Sequence, residues 1–200
     1  MIWPFSRKPS GQLADVERRY LYDLVRVTRP QIVVESGTWK GGGSTLFLAN
    51  ALADNADGEL HSWESHEPFH REATSFYRRQ KRLRDRVHLH LGDFVRAAEG
   101  FSNSFISGTG VVFLDGGDET PEGKLKLPED QYPAASENVR SFQLLSPRLQ
   151  PGTHLLLHDW GVQGGRGMFV RQVLERDGFG PWRIVEVLKT GTGMCHMIKG

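Results

Sequence analysis

The chain has 200 residues, 38% hydrophobic and 24% charged, and its 25 basic side chains against 24 acidic ones leave a net charge of +1. That length buries roughly 70% of the unfolded surface on folding, so a core forms without a staple, and the balanced charge argues against a general polyanion binder. No apolar stretch approaches the ~20 residues of a membrane span, Met1–Ser10 lacks a secretory core, and Cys195 is the single cysteine, so the expectation is a soluble cytoplasmic protein.

Leu13, Val16, Tyr20, Leu24 and Val25 recur at helical spacing and predict an amphipathic helix ending near Thr28-Arg29-Pro30. Gln31–Glu35 reads as a short strand buried on both faces. It runs into the glycine-rich stretch Ser36–Ser44 and a helix over Thr45–Leu52. Leu60–Glu64 is a second strand, and Phe69, Ala73, Phe76, Gln80 and Leu83 stripe the next helix. Val87–Leu91 is a third strand with Val87, Leu89 and Leu91 on one face. Val111–Asp115 and Leu155–Asp159 are the fourth and fifth strands, with helices over Ser136–Leu145 and Gly167–Asp177 on either side of the fifth. Trp182–Lys189 and Met194–Lys199 form a hairpin about the Thr190–Gly193 turn. The patternless, charged stretch Gly116–Pro133 reads as an irregular active-site loop.

Strands that alternate with helices predict an α/β, Rossmann-like, mostly parallel sheet with helices on both faces and an antiparallel hairpin strand at the C-terminus. The expected organisation is one domain over residues 1–200, with 1–30 as a lead and first helix. In such a sheet, ligands bind beyond the carboxyl ends of the strands. Each of the first five predicted strands ends in an acid or leads into one: Glu35, Glu64, Asp93, Asp115 and Asp159. A strand end needs no carboxylate for folding, so the recurrence points to a polar ligand. The Gly37–Gly43 loop between strand and helix permits close backbone approach and is expected to leave N–H groups pointing outward. It lacks the G-x-G-x-x-G of dinucleotide binders and the lysine of a P-loop. Glu64 has the place of an acid that accepts from a ribose diol, and Asp93 of one that accepts from an adenine amine.

Val33-Val34-Glu35-Ser36-Gly37-Thr38-Trp39-Lys40-Gly41, Ser62-Trp63-Glu64, Leu91-Gly92-Asp93-Phe94, Val112-Phe113-Leu114-Asp115-Gly116, and Leu149-Gln150-Pro151-Gly152 leading to His158-Asp159 together resemble the class I S-adenosylmethionine-dependent methyltransferases, in particular their small O-methyltransferase-like branch. The resemblance spans residues 31–199. It implies S-adenosylmethionine as cofactor, held by Glu35, Gly37, Thr38, Gly41, Ser44, Glu64, Asp93 and Asp115, and a small-molecule acceptor methylated on a hydroxyl. Some relatives bind Mg²⁺ through acids after the fourth and fifth strands. Asp115 and Asp159 match two of those positions, but His158 or Trp160 stands where a second paired acid is wanted, so Mg²⁺ stays open, with Asp118 as a third candidate ligand. His158, Asp159 and Asp115 are the expected catalytic group. Without a metal, His158 is either the general base or a strand-end histidine bonded to backbone. A non-catalytic cofactor-binding partner protein and a nicotinamide-dependent oxidoreductase are the alternatives in other classes, and homo-oligomerisation is left open.

Other conspicuous residues have plainer readings. His66 and His70, four apart, lack the glutamate of a zinc helix and are expected to face solvent. His88 and His90 share a strand face with no third ligand in view. The Arg78, Arg79, Lys81, Arg82, Arg84, Arg86 run reads as the wet face of a helix, not a nucleic-acid patch. Trp39, Trp63 and Trp160 are placed to wall a pocket, Trp3 and Trp182 to pack, and Cys195 to sit inert in the core.

Overall fold

The computed structural model describes residues 11–117, 136–161 and 165–200. Asp118, Trp3 and the 118–133 part of the predicted irregular loop lie outside these. In chain order the elements are α1 (Asp15–Thr28), β1 (Ile32–Ser36), α2 (Ser44–Asn55), β2 (Glu59–Glu64), α3 (Glu67–Arg78), β3 (Val87–Leu91), α4 (Phe94–Glu99), α5 (Asn103–Gly108), β4 (Thr109–Leu114), α6 (Glu137–Leu145), β5 (His154–His158), α7 (Arg166–Asp177), β6 (Trp182–Leu188) and β7 (Met194–Lys199). The strands form one sheet in the order β3-β2-β1-β4-β5-β7-β6. Five run parallel, and β7 pairs antiparallel with both β5 and β6. The order reverses between β1 and β4, which opens a crevice beyond their carboxyl ends.

Pleating splits the central strands between two cores, as the apolar runs require. Val33, Val111, Phe113 and Leu156 face Leu21, Val25, Phe47 and Leu52 of α1 and α2. Val34, Val112, Leu114, Leu155 and Leu157 face Phe94, Phe142 and Val170 on the other side. Helix α2 is buried almost all round, so it carries no amphipathic stripe.

Two sequence expectations change. The stripe from Phe69 to Leu83 does not make one helix: α3 stops at Arg78, and Leu83, though buried, sits in the turns that follow. Arg82 there pairs with Asp54, and Arg86 donates to the Gly58 carbonyl at 3.1 Å. On β3, Val87 is buried but Leu91 is 51% exposed, because β3 is the edge strand and none of the described residues buries its end. The short helices α4 and α5 are too brief to show a period. Cys195 is fully buried, and burial pushes its thiol up to about 12; Trp182 packs as expected, its Nε1 donating to Ser146 Oγ at 2.7 Å. Among the described residues no helix is long and apolar enough to cross a membrane.

Candidate active site

The glycine-rich turn after β1 is shaped by one close approach. Gly37 has φ +95°, and a Cβ there would lie 2.6 Å from the Asp115 carbonyl oxygen at the end of β4. Only glycine suits both the angle and the space. The turn's N–H groups do not point outward as the sequence suggests. Gly37 N and Thr38 N donate to the Trp63 carbonyl at 3.0 and 3.1 Å, and Gly41 N donates to the Thr38 carbonyl at 3.0 Å. Trp39 N donates to Glu64 Oε2 at 2.7 Å. The loop is thus laced to the end of β2, which fixes Glu64.

A cavity of about 440 Å³ opens beyond the carboxyl ends of β1, β2 and β4. Gly37, Thr38, Ser44, Glu64 and Asp115 line it, five of the eight residues the resemblance gives to the cofactor. Trp39, Trp63, Phe69 and Phe94 supply aromatic wall, and Glu137 and Arg166 add charge. Trp160 is buried instead, with the Arg171 guanidinium 5.7 Å from its ring centroid. Glu64 also receives the His66 N–H on Oε1 at 2.8 Å. His66 and His70 are half-buried rather than solvent-facing, and His66 stacks at a tilt on Phe69.

Three expected cofactor ligands do not line this cavity. Glu35 is fully buried beneath the loop, its Oε2 accepting from Ser62 Oγ at 2.5 Å and Thr45 Oγ1 at 2.8 Å. Burial pushes its carboxyl up to about 7 against the opposing pull of the Ser44, Ser62 and Thr45 hydroxyls. Gly41 turns away toward α3, where Tyr77 OH donates to its carbonyl at 2.8 Å. Asp93 is exposed and caps α4, its Oδ1 accepting from Arg96 N at 2.8 Å. An acid directly before a helix, whose side chain accepts the N–H three residues on, is first of all an N-cap, and that role wins here.

Asp115, His158 and Asp159 do come together. His158 is 1% exposed, and its Nδ1 donates to Asp115 Oδ1 at 3.1 Å with Asp159 Oδ1 at 3.4 Å. Its Nε2 meets Thr192 Oγ1 at 3.0 Å and faces Glu17 Oε2 at 3.6 Å. Burial works against a charged ring, but the hydrogen bonds to Asp115 and Glu17 and the fields of Asp115 and Asp159 outweigh it and push His158 up to about 10. A ring in that state has no lone pair with which to take a proton from an acceptor. Its partners are side chains, not backbone. Neither expectation for this histidine matches the arrangement.

Two residues that the sequence did not single out complete the cluster. Arg166, at the start of α7, bridges both acids: Nε to Asp159 Oδ2 at 3.1 Å, Nη1 to Asp115 Oδ1 at 3.5 Å and to the Asp115 carbonyl at 2.6 Å. Glu17 is fully buried, and its Oε2 accepts the Ala14 N–H at 2.7 Å. In sequence, Glu17 reads only as the third residue of a helix cap, and Arg166 as one more loop cation. What marks them is burial and convergence, which a sequence does not display.

A family model described as the methyltransferase domain matches residues 34–160. No curated protein matches the chain. Among solved structures, an O-methyltransferase from Bacillus cereus in complex with S-adenosylhomocysteine aligns with a TM-score of 0.69 at 19% identity, over 96% of this chain and 84% of that one. The O-methyltransferase TomG from Streptomyces achromogenes, involved in tomaymycin synthesis and bound to S-adenosylmethionine, aligns at 0.70 and 19% identity, over 94% and 81%. The methyltransferase PaMTH1 from Podospora anserina, bound to S-adenosylhomocysteine, aligns at 0.65 and 14% identity, over 94% and 80%. The chain belongs to the methyltransferase-domain family, and its fold is that of class I methyltransferases.

Proposed function

We propose that this methyltransferase-domain protein binds S-adenosylmethionine in the 440 Å³ cavity and transfers its methyl group to a hydroxyl of a small-molecule acceptor. The observation that carries the reading is Glu64. It stands at the carboxyl end of β2, beside the glycine turn, its carboxylate held by two backbone N–H groups and still lining the cavity. Each oxygen keeps lone-pair capacity for one hydroxyl of a ribose diol. Gly37, Thr38 and Ser44 also line the cavity, and in this reading they take the methionine end. Trp63 and Phe94 give the nucleoside end an apolar wall.

When bound, S-adenosylmethionine would supply an electrophilic methyl on a sulfonium; the acceptor oxygen would bond to that carbon as the carbon–sulfur bond breaks, its electron pair staying on sulfur, and the acceptor's hydroxyl proton would pass to bulk water. The protein's part is alignment, the exclusion of water and the fate of that proton. Asp115 and Arg166 face the cavity on the acceptor side. We assign Arg166 to hold the developing acceptor oxyanion, Asp115 and Asp159 to anchor Arg166, and His158 to hold Asp115 in place as a buried cation.

Mg²⁺ does not fit Asp115 and Asp159. A hard cation wants a shell of oxygens in near-octahedral array. Among the described residues, which do not include Asp118, a guanidinium already bridges the two carboxylates, and the third nearby donor is a histidine nitrogen. Methyl transfer therefore proceeds without a metal in this reading.

The test is titration with S-adenosylhomocysteine, with and without EDTA, followed by transfer of labelled methyl to a panel of phenols and alcohols. Binding unaffected by EDTA, and weakened about 10–100-fold in Glu64→Ala through loss of one or two charge-assisted hydrogen bonds, is the expected result. Folded protein that binds nothing would overturn the proposal. Binding without turnover on any acceptor would favour a non-catalytic partner protein.

A further inference from the structure

Beside the cavity, whose wall Trp63 shares, β2 and β3 stack four aromatic rings on one face of the sheet. The parallel register sets His61 beside His88 and Trp63 beside His90. The His61 and His88 rings lie 4.6 Å apart at 24°, and His90 stacks on Trp63 at 4.3 Å. Phe105 of α5 closes edge-on against His61 at 5.0 Å. The third ligand that the sequence did not place beside His88 is therefore His61, together with Glu59, which begins β2 two residues earlier and projects to the same face.

We propose that Glu59, His61 and His88 form a binding site for Zn²⁺ or a similar borderline divalent cation, clipping the edge strand β3 to β2. Glu59 Oε2 lies 3.4 Å from His61 Nε2 and 3.2 Å from His88 Nε2, and the three atoms fall within 4.8 Å of one another. Zinc bonds of about 2.0–2.1 Å in a tetrahedron imply ligand–ligand edges of about 3.3–3.4 Å. The two measured edges sit at that length before any metal enters. His88 Nε2 is shielded from solvent and makes no hydrogen bond, although a carboxylate oxygen is near. A lone pair aimed at a shared centre gives that geometry.

The neighbour of this trio is arranged as a supporting shell. His61 Nδ1 and His90 Nε2 are 3.2 Å apart. If His61 offers Nε2 to the ion, its Nδ1 carries the proton and donates it to His90, the orientation that metal-bound imidazoles favour. Nitrogen donors select Zn²⁺, Ni²⁺ or Cu²⁺ over Mg²⁺ and Ca²⁺. Glu59 is 54% exposed and His88 40%, which leaves an entry path and a fourth position for water. The site is independent of the methyl-transfer reading.

The experiment is calorimetric titration of chelator-treated full-length protein with ZnSO₄, with thermal unfolding in parallel and Co²⁺ as a spectroscopic probe. One Zn²⁺ per chain, a rise in Tm, and intense visible Co²⁺ bands of tetrahedral type are expected. Affinity should fall at least roughly tenfold in His88→Gln and in the surface variant Glu59→Gln, with S-adenosylhomocysteine binding unchanged in both. Absence of stoichiometric binding by the wild type overturns the proposal, as does Zn²⁺ binding that both variants retain. Retention would place any zinc elsewhere, the Asp115–His158–Asp159 cluster included.

Discussion

Replacement of Glu35 by glutamine separates two roles that the sequence left joined. The carboxyl is fully buried and raised to about 7 from an ordinary value of 4.5. Below pH 4.5 it is protonated in both the folded and unfolded chain. As pH rises, the unfolded chain loses the proton first, so the folded state pays a growing cost until pH exceeds 7. Between pH 5 and pH 8 that linkage removes about 2.5 kcal/mol of wild-type stability, at about 1.4 kcal/mol per pH unit. A glutamine cannot ionise. Its amide leaves donors near the place where Glu35 Oε1 has no partner, which carries a fixed penalty of about 1–3 kcal/mol, but that penalty does not vary with pH. The quantity to measure is therefore a double difference: urea unfolding of wild type and Glu35→Gln at pH 5 and pH 8. The variant should gain about 2.5 kcal/mol on the wild type across that interval, with affinity for S-adenosylhomocysteine unchanged within about threefold. A stability gap that stays constant with pH would refute the buried-acid reasoning. A large loss of affinity would return Glu35 to the cofactor.

His158 titrates with the opposite consequence. A histidine raised from 6.5 to about 10 contributes stability that is complete below pH 6.5 and lost as pH climbs through 10. His158→Gln should be destabilised at pH 7 by about 3 kcal/mol, and its deficit against the wild type should shrink by pH 10.5 in chemical denaturation; a gap independent of pH would remove the charge from the argument. Gly37→Ala meets both a φ of +95° and the Asp115 carbonyl. A loss of about 2–3 kcal/mol is expected, or roughly 5–10 °C in Tm, together with weaker S-adenosylhomocysteine binding, read by calorimetry and thermal unfolding.

The parts of the fold that rest on period and punctuation were readable in advance. The strands and the terminal hairpin follow from short apolar or alternating runs between turn residues. The limits of that reading are physical. Leu83 continues a helical stripe in sequence, yet a buried side chain in a turn satisfies the same spacing. Leu91 alternates correctly on β3 but lies at an edge that none of the described residues buries. At the site, topology brings the acids to one end of the sheet, and Glu64 and Asp115 of the five line the cavity. What each acid does depends on its neighbours. Glu35 and Glu64 end adjacent strands, and one lies sealed under Ser62 and Thr45 while the other lines the opening. Asp93 is occupied by a helix terminus one residue away. Such differences arise from distances of a few ångströms and leave no trace in residue order.

The charge balance at the acceptor side sets a constraint on what this enzyme can accept. Asp115, Asp159 and Glu17 bring three carboxylates to one region, and His158 and Arg166 bring two cations. In the proposed mechanism Arg166 is the only one of these cations that reaches the cavity, because His158 is sealed behind Asp115. A bound Mg²⁺ can hold two oxygens of one acceptor, and so rewards a pair of adjacent hydroxyls. A guanidinium whose Nε and Nη1 are already turned toward carboxylates does not present two open positions to one acceptor, and it acts on a single developing oxyanion through its charge. Acceptors with a single acidic hydroxyl should then compete on equal terms with vicinal diols. Comparison of a phenol with the matching catechol, once in EDTA and once with added Mg²⁺, makes the distinction: comparable kcat/KM in both conditions supports Arg166 as the acceptor-side cation, and a strong preference for the catechol in Mg²⁺ that disappears in EDTA would show that the carboxylates take a metal after all.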